Sequence, residues 1–274
     1  MGRRLCAGRL GRQVTVAAAL LLAGVQAHAL DYRVTYRGVF SLGQDMPVAD
    51  VAMAERDVAG GALKVIQLDA TSEKHAVMES LYPVRYRIAA WVGAADGGIV
   101  ALDSYEKTNK TKHRLYIRDD SASGMFRLDR LAGEGETEAR RLLDGAFDPP
   151  DAPPLFDRLG LLAQLRERVL DVGQRFALPV TNGRERMEYE VTVEGAATLP
   201  LAGRRVPALK LRLDAWEPDG NGGRQAAHRP AFVWLATDAG HTPLRLEVRH
   251  AIGLFRADLL VDGAALSVAA LGPR

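Results

Sequence analysis

The sequence predicts a mainly β protein: a curved antiparallel sheet or partly open barrel built from hairpins, with one amphipathic helix near the middle of the chain. Three observations carry this expectation. Several segments alternate strictly between apolar and polar residues, the linkers between them hold turn-forming residues, and a single stretch between Asp157 and Gly173 has helical spacing instead. Alternation is the period of a strand with one wet face. Parallel strands covered by helices on both sides would read as unbroken apolar runs.

The first 29 residues read as an export signal. Arg3, Arg4, Arg9 and Arg12 form a basic start without acidic residues, Val14 to Val25 supply an apolar run, and Ala27-His28-Ala29 has the small-x-small pattern of a signal peptidase site. Cleavage there leaves a mature chain of 245 residues beginning at Leu30, expected in the periplasm. The apolar run is shorter than the roughly 20 residues a permanent bilayer span needs, and the segment suits general secretion better than the twin-arginine route. No transmembrane segment is expected after cleavage.

Removing the signal changes the charge balance. The whole chain has 36 basic and 34 acidic residues, and taking away the four signal arginines leaves 32 against 34, a mature charge of −2. That balance argues against a nucleic-acid partner. Cys6 is the sole cysteine and lies in the signal, so the mature chain has no disulfide, thiolate ligand or cysteine nucleophile.

In the first half, Tyr32, Val34 and Tyr36 alternate with Arg33, Thr35 and Arg37, and shorter strands are expected around Val48–Val58, Leu63–Thr71, Val84–Val92, Ile99–Tyr105, His113–Arg118 and Met125–Leu128. Gly133 to Glu136 and Pro149, Pro150, Pro153 and Pro154 then mark a mobile connection around 131–154. Asp157 is placed to cap a helix carrying Leu161, Leu162, Leu165 and Val169 and ending near Gly173. From about Arg175 to Leu266 a second meander is expected, with alternation at Met187–Val193, Leu209–Leu213 and Leu244–Val248. Its turns are expected at Thr181-Asn182-Gly183, Asp219–Gly223 and Asp238–His241. Residues 30–274 are read as a single domain, and Trp234, in the most apolar strand, is expected in its core.

Three stretches resemble the domain of unknown function 3108 family of exported proteins of Gram-negative bacteria: Tyr32-x-x-x-Tyr36-x-Gly38; Asp157-x-Leu159 with Leu162, Leu165, Arg166 and Gly173; and Val233-Trp234-Leu235 with Asp238, Pro243 and Arg245. They follow the family's order across nearly the whole mature chain. Gly160 and Ala236 stand where the family often has serine. The resemblance implies a curved, mainly antiparallel sheet and no established activity.

No catalytic, cofactor-binding or metal-binding residue is assigned. His75, His113, His228, His241 and His250 show no metal-ligand spacing, and no nucleophile elbow or phosphate loop occurs. Glu188 and Glu190 read as a wet strand face, and Asp238, His241 and Thr242 as a turn. Two features invite a partner. Tyr32, Tyr36, Tyr82, Tyr86, Trp91, Tyr189 and Trp234 form either core or the lining of an apolar cleft, and Lys107, Lys110, Lys112, His113 and Arg114 form a basic run at a hairpin tip. The expected function is therefore a non-catalytic binding or chaperone-like module for a lipid, another hydrophobic ligand or an envelope protein. The alternative is an envelope hydrolase, which buried acidic residues at the base of a cleft would favour.

Overall fold

The computed structural model describes residues 28–108, 110–118, 126–130 and 154–261. Residues 1–27 of the expected signal and 131–153 of the expected connection lie outside them. The first half holds β1 (His28–Gly38), β2 (Met46–Val58), β3 (Leu63–Thr71), a short helix α1 (Ala76–Leu81), β4 (Arg85–Gly93), β5 (Ile99–Lys107), β6 (Thr111–Arg118) and β7 (Phe126–Arg130). After it come α2 (Arg158–Glu167), β8 (Arg175–Thr181), β9 (Arg186–Leu201), β10 (Arg204–Pro218), β11 (Arg224–Ala226), β12 (Ala231–Ala236), β13 (Pro243–His250) and β14 (Gly253–Leu259). β1 begins at His28, so its first two residues precede the expected cleavage point.

All strand pairs are antiparallel and form one sheet in the order β7-β6-β5-β4-β3-β2-β1-β14-β13-β12-β10-β9-β8, with β11 on β10. Each half is a meander. The halves join where the first strand pairs with the last, from Tyr32 opposite Leu259 to Gly38 opposite Gly253. The sheet does not close, because β7 and β8 are its edges, yet its two halves are drawn together by single contacts. Ile99 N–H donates to the Leu155 carbonyl at 2.6 Å, while Phe156 bridges to Val180 on β8. The β8–β9 turn packs on β6, where Arg184 Nε donates to the Tyr116 hydroxyl at 3.1 Å and Gly183 has room for no side chain against the Tyr116 ring.

The inner face carries one contiguous core that includes Tyr32, Met53, Ile66, Tyr189, Leu211 and Val233 from both halves. The alternation seen in the sequence delivers these residues because every second side chain points inward. Trp234 lies among these buried core residues, as expected. It is only 8% exposed, and its register neighbours are Lys210 and Arg245, whose cationic groups lie 5.7 and 5.9 Å from its ring. Those two side chains cap its ring, and Val233 and Leu235 beside it are buried in the same core.

Helix α2 begins as expected. The Asp157 carboxylate accepts from Leu159 N–H at 3.1 Å and Gly160 N–H at 2.8 Å, satisfying two backbone donors that a helix start leaves unpaired. Burial pushes the Asp157 pKa up, and the two N–H donors pull it back. The helix stops sooner than its spacing suggests, since Arg168 takes extended backbone; Val169, expected on its apolar face, is 82% exposed. Gly160 is a close-packing position, for a Cβ there would lie 3.4 Å from the Gly97 carbonyl.

Helix α1 has no counterpart among the sequence expectations. It buries no side chain and is held by polar contacts: Ser72 Oγ donates to Glu79 at 2.6 Å, and Arg85 reaches the same carboxylate at 2.8 Å.

Candidate functional site

The two ends of the sheet differ in character. At one end α2 lies against strand turns from both halves. Gln164 donates to the Asp96 carbonyl at 3.3 Å in the β4–β5 turn, and Arg166 Nε donates to the Gly240 carbonyl at 3.4 Å in the β12–β13 turn. Arg166 also pairs closely with Glu55 on the inner face of β2. Tyr32 lies near this pair. Its hydroxyl donates to the Pro243 carbonyl at 3.0 Å, and burial pushes its pKa up. Thus the first and third stretches of the family resemblance meet at Tyr32 and Pro243, and the second reaches the third through Arg166. A cleft of about 680 Å³ opens beside the helix end, lined by Glu55, Lys64, Arg166, Glu167 and His241 among others. Both of its carboxylates are matched by cations, Glu55 by Arg166 and Glu167 by Lys64 at 3.5 Å.

The opposite end presents apolar side chains to solvent. In the β1–β2 turn, Val39, Phe40 and Leu42 are 69, 73 and 92% exposed, and Ile252 of the β13–β14 turn adds to the patch. The turn that carries them is tightly built. The Tyr36 hydroxyl donates to the Ile252 carbonyl at 2.7 Å and accepts from Phe40 N–H at 3.3 Å. Ser41 Oγ accepts from Gly38 N–H at 3.0 Å, and Gly43 N–H donates to the Gly38 carbonyl at 3.2 Å. Tyr36 stacks on Phe255 with ring centres 5.1 Å apart. Gly253, at φ +154°, allows the two turns to meet, because a Cβ there would run into the Arg37 carbonyl and come within 2.8 Å of the Tyr36 ring.

Leu42 is the unusual residue of this turn. It adopts the left-handed conformation, φ 51° and ψ 33°, where an L-residue costs about 1–2 kcal/mol and glycine or asparagine is the ordinary choice. A leucine that is both strained and almost fully exposed gains nothing from packing.

A depression of about 650 Å³ runs beside the turn. It is lined by Arg37, Arg229, Arg249 and His250 together with Val39, Leu42 and Ile252, and no carboxylate lines it. Arg37 pairs with Asp45 at 2.7 Å, and that hydrogen bond holds the Asp45 carboxyl below its usual range. Among the described residues no carboxylate lies in salt-bridge range of Arg229 or Arg249, and both are exposed.

The aromatic residues singled out in the sequence do not converge on one groove. Tyr32, Tyr36 and Tyr189 are buried on the inner face, while Tyr82 is exposed beside α1. Tyr86 donates to Glu106 at 3.1 Å, and burial with that carboxylate pushes its pKa up to about 12. Trp91 packs with Ala101, Leu115 and Ile117 in a small outer cluster, and Trp234 lies under Lys210 and Arg245.

The basic run is split by the β5–β6 hairpin. Lys112 pairs with Glu106 at 3.3 Å, and His113 turns into the protein, 2.7 Å from Asp103. This His–Asp pair is almost fully buried. Glu188 and Glu190 both bind Arg224 at the surface, at 2.9 and 3.3 Å. Asp238 and His241 make a turn, in which His241 N–H donates to the Asp238 carbonyl at 3.2 Å and the imidazole Nδ1 faces the Arg166 carbonyl at 3.1 Å. Among the described residues no three His, Asp or Glu side chains gather as metal ligands. Sequence reasoning misses Val39, Phe40 and Leu42; the one available signal is a short apolar run bounded by Gly38 and Gly43 where a turn is due.

A β-barrel-like protein of domain of unknown function DUF1849 from Brucella abortus has a similar structure, with a TM-score of 0.50 at 8% identity, covering 85% of this chain and 95% of that one. A hypothetical lipoprotein, YmcC, from Escherichia coli K12 aligns over 86% of this chain and 84% of its own, with a TM-score of 0.33 at 9% identity. None of the curated proteins compared with the chain matches it. The first likeness agrees with the curled, unclosed sheet described above. The sequence profile of the family described as "Protein of unknown function (DUF3108)" matches residues 31–260, from the first strand to the end of the last, and the chain belongs to that family.

Proposed function

We propose that the protein is an exported, periplasmic, non-catalytic binding module that engages an apolar ligand or an envelope partner through the exposed apolar end of its sheet. One observation carries the reading: a turn braced by Tyr36, Ser41 and Gly253 holds Val39, Phe40 and Leu42 out in solvent. Contiguous exposed apolar surface marks interaction sites, and a rigid turn lowers the ordering cost of binding. The inner face supports surface binding over enclosure, since side chains from both halves fill it as one core. The expected signal peptide supplies the compartment, with residues 30–274 acting as one exported domain.

The test uses the mature protein and an environment-sensitive uncharged dye. Wild type is expected to enhance the dye's fluorescence, and a Val39→Ser, Phe40→Ser, Leu42→Ser variant with an unchanged melting curve is expected to lose most of that signal. Equal signals from the two proteins would remove the turn as the binding surface. N-terminal sequencing of protein released by osmotic shock should begin at Leu30, and an intact chain starting at Met1 in the cytosol would overturn the assignment to the periplasm.

A further inference from the structure

We infer that the apolar end docks reversibly on the surface of an anionic phospholipid bilayer; this deepens the proposed function and rests on it. The occupant follows from the order of chemistry along the end of the sheet. Phe40 and Leu42 sit at the apex of the β1–β2 turn, beyond the ends of the strands. Arg37 and Arg249 are the last residues but one of β1 and β13, and Arg229 lies two residues before β12. Apolar tips in front and arginines behind match the order of acyl region and phosphate headgroups at a membrane surface. The tips stand out from the surface, which suits insertion into a fluid acyl layer more than seating in a partner's preformed pocket.

Charge complementarity selects the lipid class. Arg229 and Arg249 are exposed and have no carboxylate in salt-bridge range among the described residues, and the depression they line holds no acidic group. Anionic headgroups attract such residues within a Debye length of the surface. Few side chains insert, so the association is expected to be reversible, in contrast to a spanning helix; among the described residues no helix is long and apolar enough to cross a membrane.

Co-flotation of the mature protein with vesicles tests this, using phosphatidylcholine alone and an equimolar mixture with phosphatidylglycerol. Wild type is expected to float with the mixed vesicles and much less with the neutral ones, added salt narrowing the difference. Phe40→Ser with Leu42→Ser should abolish flotation. Arg229→Gln with Arg249→Gln should weaken binding to mixed vesicles about 30-fold, with dye uptake retained. Failure of wild type to float with anionic vesicles would overturn the bilayer inference. If dye uptake at the turn persisted in that case, surface binding would stand and only its occupant would change. Concentration-dependent dimerisation lost in the Phe40→Ser, Leu42→Ser variant would assign the face to a second copy and likewise overturn it. Loss of both dye uptake and flotation in wild type would remove the two readings together.

Discussion

Replacing Leu42 by asparagine separates folding from binding, because the two should move in opposite directions. Leu42 is 92% exposed, so truncating it removes almost no buried surface, and its φ of 51° places it in the left-handed region. That conformation costs an L-residue about 1–2 kcal/mol, and asparagine tolerates it better than leucine does. Leu42→Asn should therefore stabilise the fold by about 0.5–1 kcal/mol. Leu42→Gly removes the same strain but enlarges the unfolded ensemble by a comparable amount, about 0.5–1 kcal/mol, so its net effect should be near zero. Urea denaturation reads the difference as a higher midpoint at unchanged slope, and in a chain of this size a change of ~1 kcal/mol moves the melting temperature by about 2–4 °C. Dye uptake and vesicle flotation should fall in the same variants. A Leu42→Asn protein less stable than wild type would refute the reasoning, since it would mean that the leucine side chain packs in solution.

Three further outcomes follow from the packing. Gly253→Ala should destabilise by about 3 kcal/mol through strain and overpacking against the Arg37 carbonyl and Tyr36 ring. Gly43→Ala, also at positive φ but with no atom within 4 Å of the added methyl group, should cost only about 1 kcal/mol; equal melting temperatures for the two would sink the argument from close approach. Asp157→Asn keeps an acceptor for the helix start while removing a buried charge. The folded-state pKa of Asp157 is raised by burial, so its ionised form costs stability at neutral pH, and that cost is relieved as pH falls through the carboxylate range. The variant should match or exceed wild type in stability at neutral pH and lose its advantage on acidification; a clear loss at neutral pH would show that the charged cap is net stabilising. Trp234→Ala should cost about 3 kcal/mol in chemical denaturation, because the ring is buried in the core with Lys210 and Arg245 capping it. A wild-type midpoint would show those cations closing over the space without loss.

The strands from Leu63 to Thr71 and from Ile99 onward, and the cap at Asp157, are legible in the sequence because each depends on neighbours a few residues away. Side-chain alternation follows from the pleat, and an N-cap needs only its own helix's first N–H groups. Helix α1 is not legible, since it buries nothing and depends on Ser72, Glu79 and Arg85 meeting across a connection. The end of α2 escapes the sequence for a related reason. Val169 has the right spacing, but the backbone turns extended at Arg168 and carries it into solvent.

Local periodicity and local backbone chemistry are enough to specify most of the described strands, the turns that join them and helix α2, and the order of charge, apolar run and small residues is the whole basis for reading residues 1–29 as an export signal. Which face of each strand meets the core is settled by long-range pairing. Phe232-Val233-Trp234-Leu235 is apolar at every position, and only long-range pairing sets Lys210 and Arg245 beside Trp234 to cap its ring. Long-range pairing also joins the two meanders through β1 on β14, a contact between residues more than 200 positions apart. That pairing is what brings Tyr36 to Ile252 and sets the β1–β2 turn beyond the sheet. Val39, Phe40 and Leu42 have the composition of a core, and they face water because long-range hydrogen bonds to the last strands fix the turn that carries them.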